Sequence, residues 1–111
     1  MVILIVEPGC PPRRAEIDGS LQAMQKVVGG KIQALYPYEE SVALVCNDEG
    51  KILNLPPNRC LLDENGEVYD IICGTFFLCN APPNSKNFEG LTEAQVSYYT
   101  AQFRHPLIFI S

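Results

Sequence analysis

Between Val68 and Cys79 the chain runs through twelve residues of which only Asp70, Gly74 and Thr75 fall outside the apolar and aromatic set. A stretch this apolar, and this rich in β-branched and aromatic side chains, belongs inside a fold, most simply as a strand covered on both faces. Two readings of its first half compete. Either the strand runs straight through Ile71-Ile72, or Asp70–Cys73 makes a short helical turn that Gly74 ends. Thr75–Cys79 is a strand on both readings, and the rest of the chain has to supply what covers it.

Met1–Val6 is a second, shorter apolar run, closed by Glu7-Pro8-Gly9, and reads as a central strand. Cys10–Glu16, with two prolines and two arginines, reads as a loop or irregular edge segment. Asp18-Gly19-Ser20 then offers caps for a helix whose Leu21, Met24, Val27 and Val28 share one face and which Gly29-Gly30 ends. Lys31–Tyr36 alternates polar and apolar, Pro37–Ser41 turns the chain, and Val42–Cys46 returns, so a hairpin is the economical reading. Asn54–Cys60 holds Pro56-Pro57 and cannot be the middle of a regular element. Leu61-Leu62 and Val68-Tyr69 flank Asn65-Gly66, the preferred pair for a type I′ hairpin turn. Near the end, Thr92 with Gln95 matches a capping box and Leu91 with Val96 a hydrophobic staple, and the helix they start stops before Pro106.

These elements predict an α+β fold with a mixed or mostly antiparallel sheet of about five strands and two helices on one face. A single domain spans 1–111: a strand-rich core with the first helix over 1–80, a loop over 81–90, a helix over 91–105 and an apolar tail, Leu107–Ile110, within 106–111. With 47% hydrophobic and 19% charged residues the chain has enough apolar surface to fold, which a disordered segment lacks. The start Val2–Val6 is too short and too soon followed by Glu7 for a secretion signal, and no stretch approaches the roughly 20 apolar residues of a membrane span. The expected home is cytoplasmic, where five cysteines stay reduced.

The net charge of −5 is concentrated. Residues 39–70 carry eight acids against Lys51 and Arg59 alone, so no basic stripe exists to neutralise a phosphate backbone and direct nucleic-acid binding is not expected. The acids serve solubility in solvated turns, or form a face for a basic partner; Glu39, Glu40, Asp63 and Glu64 are the candidates for such a face. Metal is not expected, because the nearest cysteines, Cys73 and Cys79, are six apart with no paired ligands. No catalytic residues stand out. His105 reads as a helix-end histidine, although a Cys–His pair is a formal alternative. Glycine-rich nucleotide loops are missing, and no cofactor is implied. Asp70, between Tyr69 and Ile71, needs a partner. It is expected to tie Arg59 and hold 54–60 onto the sheet; otherwise Asn58, Arg59, Asp70 and Thr75 form a recognition pocket.

The strings VEPG (6–9), EIDGSLQAMQKVVGGKIQALYPYE (16–39), VALVCNDEGK (42–51), LPPNR (55–59) and DENGEVYDIICGTFFL (63–78) resemble a small bacterial domain family of unknown function found on phages and integrative or conjugative elements. The resemblance covers residues 1–80 well and the C-terminal helix loosely. It implies an accessory protein of mobile DNA and carries over no activity. The acidic middle third, the lack of a catalytic signature and the apolar tail Leu107–Ile110 make the expected function a non-enzymatic protein-binding or regulatory module, acting on a protein partner or by self-association. The alternatives are a small-molecule sensor using the Asn58/Arg59/Asp70 corner, and a Cys/His hydrolase.

Overall fold

The computed structural model describes residues 1–105, and its elements are β1 (Val2–Val6), β2 (Arg13–Glu16), α1 (Leu21–Val28), β3 (Ile32–Leu35), β4 (Val42–Asn47), β5 (Pro57–Leu62), β6 (Val68–Cys73), β7 (Phe76–Asn80) and α2 (Glu93–Gln102). The long apolar run is two strands. Gly74, at φ +87°, breaks it and sends β6 and β7 into different sheets. β7 lies in the middle of a five-stranded antiparallel sheet of order β2-β1-β7-β4-β3, and β6 pairs with β5 as a separate hairpin. The helical turn considered for Asp70–Cys73 does not form; those residues are strand throughout.

The fold is α+β, as expected, but the two helices lie on opposite faces of the sheet. Ile3, Ile5, Ala43, Val45, Phe77 and Cys79 pack with Met24 and Val28 of α1. Leu4, Val6, Val42, Leu44, Phe76 and Leu78 pack on the other side with Tyr99 and Phe103 from the α2 end, together with Leu61 and Ile72 of the hairpin. The reason is in the strands themselves. β1, β4 and β7 are apolar at both odd and even positions, so both faces must be covered, and one layer of helices covers only one. The hairpin shares the second face with α2 and completes the covering there.

The local signals for the helices are realised. Ser20 Oγ accepts from Ala23 N at 3.1 Å, and Gly29 ends α1 at φ +78° with its N–H donating to Gln25 O. Both halves of the capping box form at α2: Gln95 N donates to Thr92 Oγ1 at 3.1 Å, and Thr92 N donates to Gln95 Oε1 at 2.9 Å. Leu91 and Val96 join the same core cluster, the staple geometry. Cys10–Glu16 is partly an edge strand after all, and β2 is guarded there by Arg13, Arg14 and Glu16. The β5–β6 turn differs from the expected type I′. Asn54 is the one non-glycine residue with positive φ among the described residues, so Asn65 stays on the negative side and only Gly66 is left-handed. Gly66 N donates to Asp63 O at 3.0 Å, which is a type I turn closed by a left-handed glycine. Asp63 Oδ1 selects that form by accepting from Asn65 N and Glu67 N, both at 2.9 Å. The expected apolar tail Leu107–Ile110 lies outside the described residues.

Gly74 and Gly66 separate conformational strain from crowding. A Cβ on Gly66 meets nothing within 4 Å, whereas one on Gly74 comes within 2.7 Å of Leu55 Cδ1 and 3.3 Å of its Cβ. Gly66→Ala should therefore cost about 1 kcal/mol and Gly74→Ala roughly 2 kcal/mol or more in chemical denaturation. Equal costs would contradict this account of the strand break.

Candidate functional site

Asn58 and Arg59 follow Pro57 at the start of β5, in a stretch expected to be irregular, and both are almost wholly buried, at 0% and 3% exposure. Asn58 Nδ2 donates to Val6 O and to Gly74 O, each at 2.8 Å, so it ties the hairpin to β1 and to the strand break. The Arg59 guanidinium uses all five of its N–H groups. Nε and Nη2 donate to Phe103 O at 3.2 and 2.9 Å, Nη2 to Cys10 O at 2.6 Å, and Nη1 to Asn58 O and Oδ1 at 3.1 and 2.8 Å. Every acceptor is an uncharged carbonyl. Phe103 is the C-cap of α2, so the cation sits at the negative end of that helix. Burial lowers the pKa of Arg59, yet a guanidinium starts so high that it stays charged. With its donors spent, Arg59 cannot grip a ligand without letting go of the fold.

Arg59 and Asp70 do not pair. Asp70 forms its ion pair with Lys51 and also accepts from Ile71 N at 2.8 Å. The reason is geometric: Arg59 turns from the β5 side of the hairpin toward Phe103 and Cys10, while Asp70 turns from the β6 side toward the 47–54 turn. Thr75 is half-buried after Gly74 and joins neither side chain. The four residues of the expected pocket are thus split among a buried latch, a surface ion pair and a connection.

A recess of about 480 Å³ opens instead between the 37–38 loop, the outer part of the hairpin and the end of α2. Tyr38, Leu61, Leu62, Tyr69 and Phe103 give it apolar walls, and Cys60 and His105 border it as well. Leu62 and Tyr69 are 58% and 55% exposed, a large apolar and aromatic surface to leave in water. Val68, directly across from Leu62, continues the patch. The Tyr38 ring packs on Tyr99 at 4.9 Å, and its hydroxyl is buried with no hydrogen-bond partner among the described residues. Burial pushes its pKa above that of an ordinary tyrosine.

None of the four acidic candidates lines this recess. Glu39 and Glu40 follow Tyr38, and Asp63 and Glu64 follow Leu62; all four are exposed. Glu40 Oε1 accepts from Gln95 Nε2 at 2.6 Å, and Glu39 and Glu40 share a shallow surface hollow with Tyr98, itself 57% exposed. The thiols of Cys46 and Cys79 are pushed up to about 11 and about 12 by burial, which makes them poor nucleophiles at neutral pH. Among the described residues no cluster of three or more His, Cys, Asp or Glu is placed to hold a metal ion, and no helix is long and apolar enough to cross a membrane. Tyr38, Leu62, Tyr69 and Tyr98 escaped the sequence reading. The Tyr36-Pro37-Tyr38 string, two aromatics inside a turn, was the available signal.

A family model matches residues 1–104. The chain belongs to the domain of unknown function family DUF3846. That membership covers nearly all of the described fold, so the latch, the hairpin and the recess all lie within the family domain. No curated protein and no solved structure matches the chain.

The split between Arg59 and Asp70 has a direct consequence for stability. Arg59→Ala strands the carbonyls of Phe103, Cys10 and Asn58 and should cost roughly 3 kcal/mol or more in denaturant titrations. Asp70→Asn disturbs a solvent-screened pair and should change stability little. A double-mutant cycle between the two positions should show no coupling; a strong coupling would restore the Asp–Arg tie.

Proposed function

We propose that the protein is a non-enzymatic protein-binding module whose contact surface is the recess and the hairpin face beside it. The observation that carries this reading is the exposed, contiguous set Leu62, Val68 and Tyr69 beside a partly open apolar recess. Carbon surface of this kind gains most from burial against another chain, and tyrosine and leucine side chains supply anchors with little polar surface to desolvate. The polar residues best suited to recognising a small molecule, Asn58 and Arg59, are already spent on the fold, which lowers the standing of a sensor at that corner. The cellular setting we propose, an accessory protein of a mobile element acting in the cytoplasm, rests on the family resemblance of residues 1–80.

A second reading has one observation in its favour. Cys60 and His105 border the same recess, which are the two side-chain types of a thiol nucleophile and its base. It predicts a Cys60 thiol that alkylates faster than Cys10, with a rate that His105→Ala lowers.

The leading reading is tested by capture from the native host followed by reconstitution with purified components. Wild-type protein should retain a defined partner, or a second copy of itself, that Tyr69→Asp loses while its melting temperature is unchanged. A strictly monomeric protein with no partner that depends on Tyr69 would contradict it.

A further inference from the structure

We infer that the free edge of β3 is a self-association site, at which two copies of the chain pair their Ile32–Leu35 strands antiparallel about a twofold axis and join two five-stranded sheets into one. This surface is separate from the recess. The two ends of the sheet are treated differently. β2 closes one end with Arg13, Arg14 and Glu16, charges that discourage a further strand. β3 closes the other with Ile32, Gln33, Ala34 and Leu35, none of them charged. Among the described residues no strand lies on its outer side.

The backbone decides what such an edge can take. Asp48 N donates to Lys31 O at 2.8 Å, next to the Ile32–Asn47 pair. Lys31, Gln33 and Leu35 therefore turn their backbone groups to β4, and Ile32 and Ala34 turn theirs outward. The far side of β4 agrees: Ala81 N donates to Ser41 O at 2.7 Å, which sends the odd residues of β4 to β7 and leaves the even ones for β3. The N–H and C=O groups of Ile32 and Ala34 thus line the edge. The antiparallel register that uses all of them sets Ile32 against the second copy's Ala34, with two hydrogen bonds for each such pair, and places Gln33 against the second copy's Gln33 across the axis.

That register suits a second copy in particular. The pair on the axis is of the non-hydrogen-bonded kind, in which side chains come closest. Gln33 is exposed, and its amide is both donor and acceptor, so it satisfies its own image. A charge there would face itself. The flanking Ile32–Ala34 pairs are apolar on both sides. Ile52, 79% exposed, lies with Gln33 and Leu35 along a cleft at this edge, and Tyr36, 62% exposed, follows the strand. Pairing at β3 can therefore take carbon surface beside the new ladder out of water.

The test is sedimentation equilibrium on the full chain, with amide hydrogen exchange at a low and a high protein concentration. The wild-type chain should be a dimer that dissociates on dilution, and the amides of Ile32 and Ala34 should be protected in the dimer alone. Ala34→Pro removes an N–H that β4 does not use, so circular dichroism should show it folded while the dimer weakens at least about tenfold. Gln33→Glu and Gln33→Lys should each be monomeric, because like charges meet across the axis, and an equal mixture of the two should dimerise. Tyr69→Asp should leave the dimer intact. A wild-type chain that stays monomeric would overturn the inference, as would a charge-swapped mixture that does. Protection of Ile32 and Ala34 in a monomer would overturn it too, because another part of the chain would then cover the edge. A dimer that survives both Ala34→Pro and Gln33→Glu is built elsewhere, and one lost to Tyr69→Asp instead belongs to the recess. In either case this inference falls, while the protein-binding reading is judged by Tyr69→Asp alone.

Discussion

The Arg59 guanidinium is held by five hydrogen bonds to carbonyl oxygens on three separate parts of the chain, and the arrangement of everything on that side of the sheet follows from it. A two-stranded hairpin has too little core to be stable alone. Here it gains Leu61 and Ile72 as apolar contacts with the sheet, and Asn58 and Arg59 as a polar fastening to β1, Gly74, Cys10 and the end of α2. The fastening also works in reverse. The C-terminal carbonyl of α2 needs a donor, and Arg59 supplies two at the end where a cation is most favourable.

This placement decides what the surface looks like. With β5 clamped at Arg59, Leu62, Val68 and Tyr69 on the outer half of the hairpin are left more than half exposed. The space between that half and Tyr38 becomes the recess, closed at its far side by Phe103 and His105. A rigid polar latch inside and an unsatisfied apolar surface outside are two results of one geometry. The buried side of the hairpin is expensive to disturb, and the exposed side is where a partner can gain.

The readable parts of the fold were those with local causes. Ser20, Gly29, Thr92 and Gln95 specify helix ends through their own neighbours; α1 begins and ends, and α2 begins, where those residues say, whereas α2 ends at Gln102, short of the expected 105. The alternation in Lys31–Tyr36 and the turn before Val42 likewise announced the β3–β4 hairpin. Periodicity could not say that Val68–Asn80 is two strands, because strands buried on both faces look alike whichever sheet they join; a single left-handed glycine made the difference. The same two-sided burial hid the placement of α1 and α2 on opposite faces. Residue identity suggested a carboxylate partner for Arg59, but its partners are backbone carbonyls, which every residue carries and no sequence marks. The acidic candidates were legible as charge, whereas the recess depends on bringing Tyr38 and Leu62 together across the fold.

Native-state hydrogen exchange on Arg59→Lys tests the latch most directly. Lysine keeps the charge but lacks the planar fork that reaches Phe103, Cys10 and Asn58 together. The account predicts that amides of β5, β6 and the last turn of α2 lose protection while those of β1, β4 and β7 keep theirs. Protection unchanged in the hairpin, or lost equally across both sheets, would show that Arg59 is not what holds this side of the molecule together.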